Sequence, residues 1–201
     1  MNESKLLKNY ETSLANKATF IAVSQKDAAT YKEKLKATRV EYLPVFIPFQ
    51  SVPFKEGRGN YCLYHGNLSV SENEKSATWL LTNIFSELKI PLVISGKDPS
   101  QKLQNLAHKN EHCCLIANPT EAEMNELIIK AQINILPSFN STGIKIKLLH
   151  ALFKGRYAVV NKEAIEGSGL EDFCVVANGE QDFKKTILSF YEKSFTQKDA
   201  A

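Results

Sequence analysis

No run of apolar residues in this chain approaches the roughly 20 that a membrane-spanning helix requires. The opening Met1-Asn2-Glu3-Ser4-Lys5 is polar where a secretory signal carries an apolar core. The sequence therefore reads as cytoplasmic. Neither sign of charge is in large surplus: 25 basic against 22 acidic residues leave +3. Without a dense basic stripe, no nucleic-acid partner is expected, although a local phosphate site needs only a few donors. The four cysteines, Cys62, Cys113, Cys114 and Cys174, match no zinc or redox spacing and read as reduced thiols. His108 and His112 have no carboxylate or cysteine arrangement typical of zinc, so no metal site is expected. No internal repeat or low-complexity tract is present.

What is present is ordinary globular composition, 43% hydrophobic and 23% charged over 201 residues. That length suits one well-buried domain plus a smaller piece, and is too short for two full α/β domains of roughly 150 residues each. Short apolar runs alternate with helical patterns. Helices are expected at Leu6–Lys17, Lys26–Leu35, Glu72–Leu88, Gln101–Lys109, Glu121–Lys130, Ile144–Lys154 and Asp182–Tyr191. Strands are expected at Ala18–Val23, Val40–Phe46, Tyr61–His65, Pro91–Ser95, His112–Ile116, Ile133–Leu136, Tyr157–Val160 and Cys174–Val176. Ser24 with Asp27, and Thr120 with Glu123, have the spacing of helix caps. Trp79, on the long helix, reads as core. Pro44, Pro48 and Pro53 with Gly57 and Gly59 mark a connector, so the boundary falls between residues 1–57 and 58–201.

This alternation predicts an α/β fold with a Rossmann-like, doubly wound parallel sheet. Such sheets bind ligands beyond the carboxyl ends of their strands. The expected rim is His65–Leu68, Ser95–Asp98, Ala117–Thr120, Pro137–Gly143 and Asn161–Gly169. His65 can face that rim or serve a structural role.

The stretch richest in chemistry is Pro137-Ser138-Phe139-Asn140-Ser141-Thr142-Gly143-Ile144-Lys145-Ile146-Lys147, running on through His150 to Gly155. Ser141 or Thr142 can cap a helix here, and Gly143 lets a ligand approach the backbone. A helix start presents N–H groups and partial positive charge to a phosphate. Lys147, His150 and Lys154 then share one stripe, while Ile144, Leu148, Ala151 and Leu152 face the sheet.

This stretch resembles the signature of family 4 (group 1) glycosyltransferases of the GT-B type, in which Gly-Ile-Lys-x-Lys-x-Leu precedes Glu-Ala-Leu. Other blocks follow in order: Tyr64-His65-Gly66-Asn67-Leu68 with Asn73, Leu92-Val93-Ile94-Ser95-Gly96-Lys97, Glu121–Pro137, and Glu166-Gly167. The likeness covers about residues 60–190 and marks a divergent member of the family. It implies the donor-binding half of a GT-B enzyme, with residues 1–57 as the end of the acceptor-side domain plus hinge. Most of that N-terminal acceptor domain would be missing. The implied activity moves a sugar from a nucleotide-diphosphate donor to a glycan or lipid-linked acceptor hydroxyl, retaining configuration, with no metal and no cofactor. Peripheral membrane association is compatible with such an acceptor.

Carried over by position, Gly66 and Asn67 lie near the donor phosphates, and Thr142, Gly143 and Ile144 give backbone donors. Lys147 is the catalytic cation, and Ala117–Pro119 border the base. His150 stands where the family has the glutamate that accepts from the ribose hydroxyls. Pro137–Gly143 holds no acid, Tyr157 replaces a proline, and the basic pair that commonly follows the first strand has only Lys75 and Lys97 as loose counterparts. These departures leave an alternative: a non-catalytic nucleotide-binding or assembly module that kept the fold. A receiver-type signalling domain fits less well, because the early acidic cluster is missing.

Overall fold

The computed structural model describes residues 3–46, 55–141 and 143–199. Contacts divide the chain into two units, the first chiefly Met1–Pro48 and the second beginning at Phe49.

In the first unit, α1 (Glu3–Leu14), β1 (Phe20–Ala22), α2 (Gln25–Glu33) and β2 (Val40–Tyr42) follow one another. Ser24 caps α2 by accepting the Asp27 N–H at 3.0 Å, as its spacing predicts. β1 and β2 pair in parallel, with Phe20 opposite Val40. The small core is Ala15, Ala22, Ala28, Leu35, Ala37 and Val40, flanked by Phe20 stacked on Tyr31.

The second unit alternates β3 (Cys62–Asn67), α3 (Ser71–Trp79), β4 (Leu92–Lys97), α4 (Gln101–His108), β5 (Cys113–Ala117), α5 (Glu121–Lys130), β6 (Ile133–Ile135) and α6 (Ile146–Lys154). It ends with β7 (Tyr157–Val160), α7 (Lys162–Ile165), β8 (Val175–Val176) and α8 (Glu180–Tyr191). The six strands are all parallel, in the order β5-β4-β3-β6-β7-β8. The α/β class with a doubly wound parallel sheet is therefore as expected. The chain winds outward from β3 to β5, then returns to the other side of β3, so the winding reverses between β3 and β6. That reversal opens a crevice at the carboxyl ends of the strands.

The inner strands are buried on both faces: Cys62, Leu63, Tyr64, Ile133, Ile135, Val159 and Val160 are all fully enclosed. At the edge, β5 leaves Cys114 exposed beside half-buried Cys113, so adjacent cysteines do lie in different environments. All four cysteines are free thiols.

Several boundaries differ from expectation for identifiable reasons. β3 and β4 continue two residues further, to Asn67 and Lys97, with Gly66 paired opposite Gly96. A Cβ on Gly96 would overlap the Gly66 carbonyl, so only glycine lets the strands stay paired there. The single helix expected over Glu72–Leu88 is interrupted: a π-helical turn, Leu80–Ile84, follows Trp79, closed by Phe85 N–H donating to Leu80 O at 2.9 Å. Leu80, Leu81, Ile84 and Phe85 are all buried in the core. The region after β7 was expected as rim loop and contains the short helix α7. α6 begins at Ile146 rather than Ile144, because Lys145 holds ψ at 89°, outside the helical range.

Candidate functional site

Three strand ends form the floor of a cleft of about 510 Å³ on the rim. Gly66 and Asn67 come from β3, Gly96 and Lys97 from β4, and Asn118, Pro119 and Thr120 from the turn after β5. Glu121, Met124 and Asn125 of α5 and His150 of α6 complete the lining. Glycines at the ends of two neighbouring strands keep the floor free of side chains, so a ligand can reach the main chain.

The turns beside the floor are locked by polar contacts. Asp98 and Asn118 both hold positive φ, 48° and 52°. Asn118 N–H donates to Gly96 O at 2.9 Å, and its side-chain oxygen accepts the Asp98 N–H at 2.8 Å. Short polar side chains that bond locally are the non-glycine residues that tolerate this conformation. Thr120 and Glu123 complete a reciprocal capping box at the start of α5, as expected.

Lys147 lies next to the cleft and not on its wall. Its ammonium donates to Asn73 Oδ1 at 2.9 Å and to Tyr64 Oη at 3.1 Å, 4.7 Å from the Tyr64 ring centre. Asn73 in turn donates to Asn67 O at 2.8 Å. One polar chain thus ties α6 to α3 and to the end of β3. The loop after β6 is also pinned. Ser138 N–H donates to Asn161 Oδ1 at 2.8 Å, Asn161 Nδ2 donates to Ser138 O at 2.6 Å, and Phe139 N–H donates to the Glu72 carboxylate at 2.8 Å.

The electrostatics share one sign. Burial, with Lys145 nearby, lowers the Lys147 ammonium to about 8, and Glu72 only partly opposes this. Burial and Lys154 lower His150, against Glu121. His65, buried directly before the floor glycine, is pushed down to about 3 by burial and then by Lys147 and His150. Its Nε2 has no hydrogen-bond partner among the described residues. Among those residues no carboxylate makes an ion pair with Lys147 either. Two carboxylates stand near these groups, Glu72 acting on Lys147 and Glu121 on His150, and Glu121 itself lines the cleft.

Of the expected site residues, Gly66, Asn67 and His150 are brought together on the cleft, with Lys147 linked to them through Asn73. Gly143, at φ +68°, and Ile144 precede α6 and group with the first unit, so the helix-end N–H groups belong to Ile146 and Lys147. Thr142 lies outside the described residues. Lys154 is not simply solvated: its ammonium donates to Asn125 Oδ1 at 2.6 Å, joining α6 to α5. Tyr64, Asn118, Met124 and Asn125 fall inside stretches marked in the sequence, but nothing there singles them out individually. Only the end-of-strand position of the turn after β5 hints at Asn118. Among the described residues no cluster of three metal-ligating side chains occurs, and no helix is long and apolar enough to cross a membrane.

A parallel sheet with a central reversal and a glycine-floored rim cleft defines one Rossmann-like half of a GT-B fold. Solved structures share it. A mutant of S. aureus TarM, in complex with Fondaparinux, α-GlcNAc-glycerol and UDP, matches with TM-score 0.69 at 12% identity, over 96% of this chain and 41% of that one. A UDP-forming α,α-trehalose-phosphate synthase from Burkholderia xenovorans matches with TM-score 0.63 at 11% identity, over 91% and 55%. The family profile described as Glycosyl transferases group 1 matches residues 59–193, and the chain belongs to that family. An uncharacterised 44.6 kDa protein in the cps region of Klebsiella pneumoniae is 25% identical over 172 residues, 80% of this chain. The chain spans 44% of that relative's length.

Proposed function

We propose that this chain is the donor half of a glycosyltransferase and binds a nucleoside-diphosphate sugar in the rim cleft. The observation that carries this is Lys147, largely buried and held by Asn73 and Tyr64 beside a glycine-floored cleft at the sheet's reversal. In this reading the base lies against Ala117–Pro119, the ribose reaches His150, and the diphosphate lies over Gly66 and Asn67. Lys147 and the first N–H groups of α6 meet the charge that develops on the leaving nucleotide. Transfer proceeds with retention and without metal or cofactor, in the cytoplasm, to a glycan or lipid-linked hydroxyl held by an N-terminal acceptor domain of which residues 1–57 are the end. A lipid-linked acceptor would bring the enzyme to a membrane surface.

Calorimetric titration with UDP, GDP and their sugars tests the reading. One of them is expected to bind, and Lys147→Ala to weaken it about 10-fold or more, the loss of one charge-assisted contact. A phosphate beside Lys147 raises its pKa, so binding is expected to take up protons at pH 8–9. Absence of binding by the folded chain, alone and joined to the rest of a longer protein, would overturn the reading.

The histidine at 150 and the acid-free Pro137–Gly143 loop favour a second reading, a module that kept the fold for binding or assembly without catalysis. His150→Glu separates the two. Tighter donor binding supports the transferase, whereas unchanged binding supports the module.

A further inference from the structure

A second groove, of about 640 Å³, lies away from the rim cleft, along α3 and beside α4 and the loop after β6. Its apolar surface is aromatic. Trp79 meets Phe139 edge to face, ring centres 5.7 Å apart, and is braced from the core by Phe183 at 5.2 Å. Phe139 remains 38% exposed, so this pair is not sealed into the core. Trp79 is the last α-helical residue before the π turn, and Thr82 and Asn83 of that turn line the same groove. Single π turns within helices are rare and gather at functional sites.

The polar lining carries unequal charge. Lys75 holds its ammonium 4.7 Å from the Phe139 ring centre, and Lys102 of α4 adds a second cation. Among the described lining residues the acid is Glu74, which accepts from the Ser100 hydroxyl, and Glu180 accepts from Asn83 Nδ2 at 2.6 Å. Thr78 also lines the groove. Aromatic surface suits the C–H face of a pyranose ring, whose partly positive hydrogens meet the negative π face. Ammonium and hydroxyl groups at its margin suit ring hydroxyls and a carboxylate.

We propose that this groove is a saccharide-binding site for an acidic oligosaccharide, separate from the donor cleft. Trp79 and Phe139 seat a sugar ring, and Lys75 and Lys102 pair with its carboxylates. The proposal does not depend on the donor reading.

Trp79 is the single tryptophan of the chain, so its emission reports on the groove directly. Titration of the full chain with hyaluronan tetrasaccharide is expected to change that emission saturably in the millimolar range. Neutral cellotetraose is expected to bind at least threefold more weakly. The surface variants Lys75→Ala and Lys102→Ala should each weaken the acidic ligand at least threefold while leaving circular dichroism unchanged. Phe139→Ala should abolish the response. No saturable change with either tetrasaccharide, equal affinity for both, or full affinity in the Lys75→Ala/Lys102→Ala double variant would each overturn the proposal. UDP titration of the same samples reads the donor cleft separately, so failure of one site does not mimic failure of the other.

Discussion

His65 shows how much the neighbourhood of a single side chain decides. Its ordinary imidazole pKa of 6.5 falls to about 3 in the folded chain, through burial first and then Lys147 and His150. The unfolded state therefore binds a proton that the folded state refuses between those two values. Stability is lost as pH falls below about 6.5, and the loss stops growing below about 3. At pH 5 the cost is about 2 kcal/mol. His65→Gln, which does not titrate, is expected to lose correspondingly less stability between pH 7 and pH 5. Urea denaturation at the two pH values measures this, and an equal loss in both proteins would count against it. The histidine is visible in the sequence as a rim candidate, but its lowered pKa is not, because that comes from burial and from two α6 side chains more than 80 positions away.

Among the elements, β3 and β4 depend on a glycine pair that carries no side-chain chemistry. Gly96→Ala forces a Cβ against the Gly66 carbonyl, a backbone group that cannot swing aside. A loss of about 1–3 kcal/mol is expected, as for overpacked core sites, together with weaker nucleotide binding as the floor distorts. Thermal melting and UDP titration of the variant give both numbers. The elements also show where sequence reasoning holds and where it stops. β7 falls on Tyr157–Val160 at both ends, because a four-residue apolar run between Gly155 and Asn161 admits one reading. The α5 capping box was legible because its partners are three residues apart. The π turn is not, since Ala77, Leu80, Leu81 and Ile84 keep ordinary helical spacing through it. Trp79 reads as core from its spacing, and it does pack, partly buried, against the main core beside Phe183, while its contact with Phe139 of a distant loop is invisible to spacing. The start of α6 differs from expectation for a local reason: two consecutive cap candidates, Ser141 and Thr142, precede Lys145, after which the helix begins.

At the scale of the molecule, the two units have separate hydrophobic cores, one built on alanines around β1 and β2, the other running through the six-stranded sheet. A chain shortened to residues 55–201 is therefore expected to melt cooperatively and to keep the nucleotide affinity of the full chain within about threefold. Circular dichroism and calorimetry check both, and a molten or inert product would show that the first unit is needed for folding. The strand order has a further consequence for the chain as it is made. β3 sits at the centre of the sheet, but its partner β6 is paired at Ile133 opposite Cys62, about 70 residues later. At 5–20 residues per second of synthesis, one edge of that apolar strand waits roughly 4–14 s for its neighbour. During this interval the nascent chain offers an unpaired hydrophobic edge, the kind of surface that chaperones shield and that aggregates when unshielded. Slowing translation between β5 and β6 should therefore lower the soluble yield more than the same delay placed after β8.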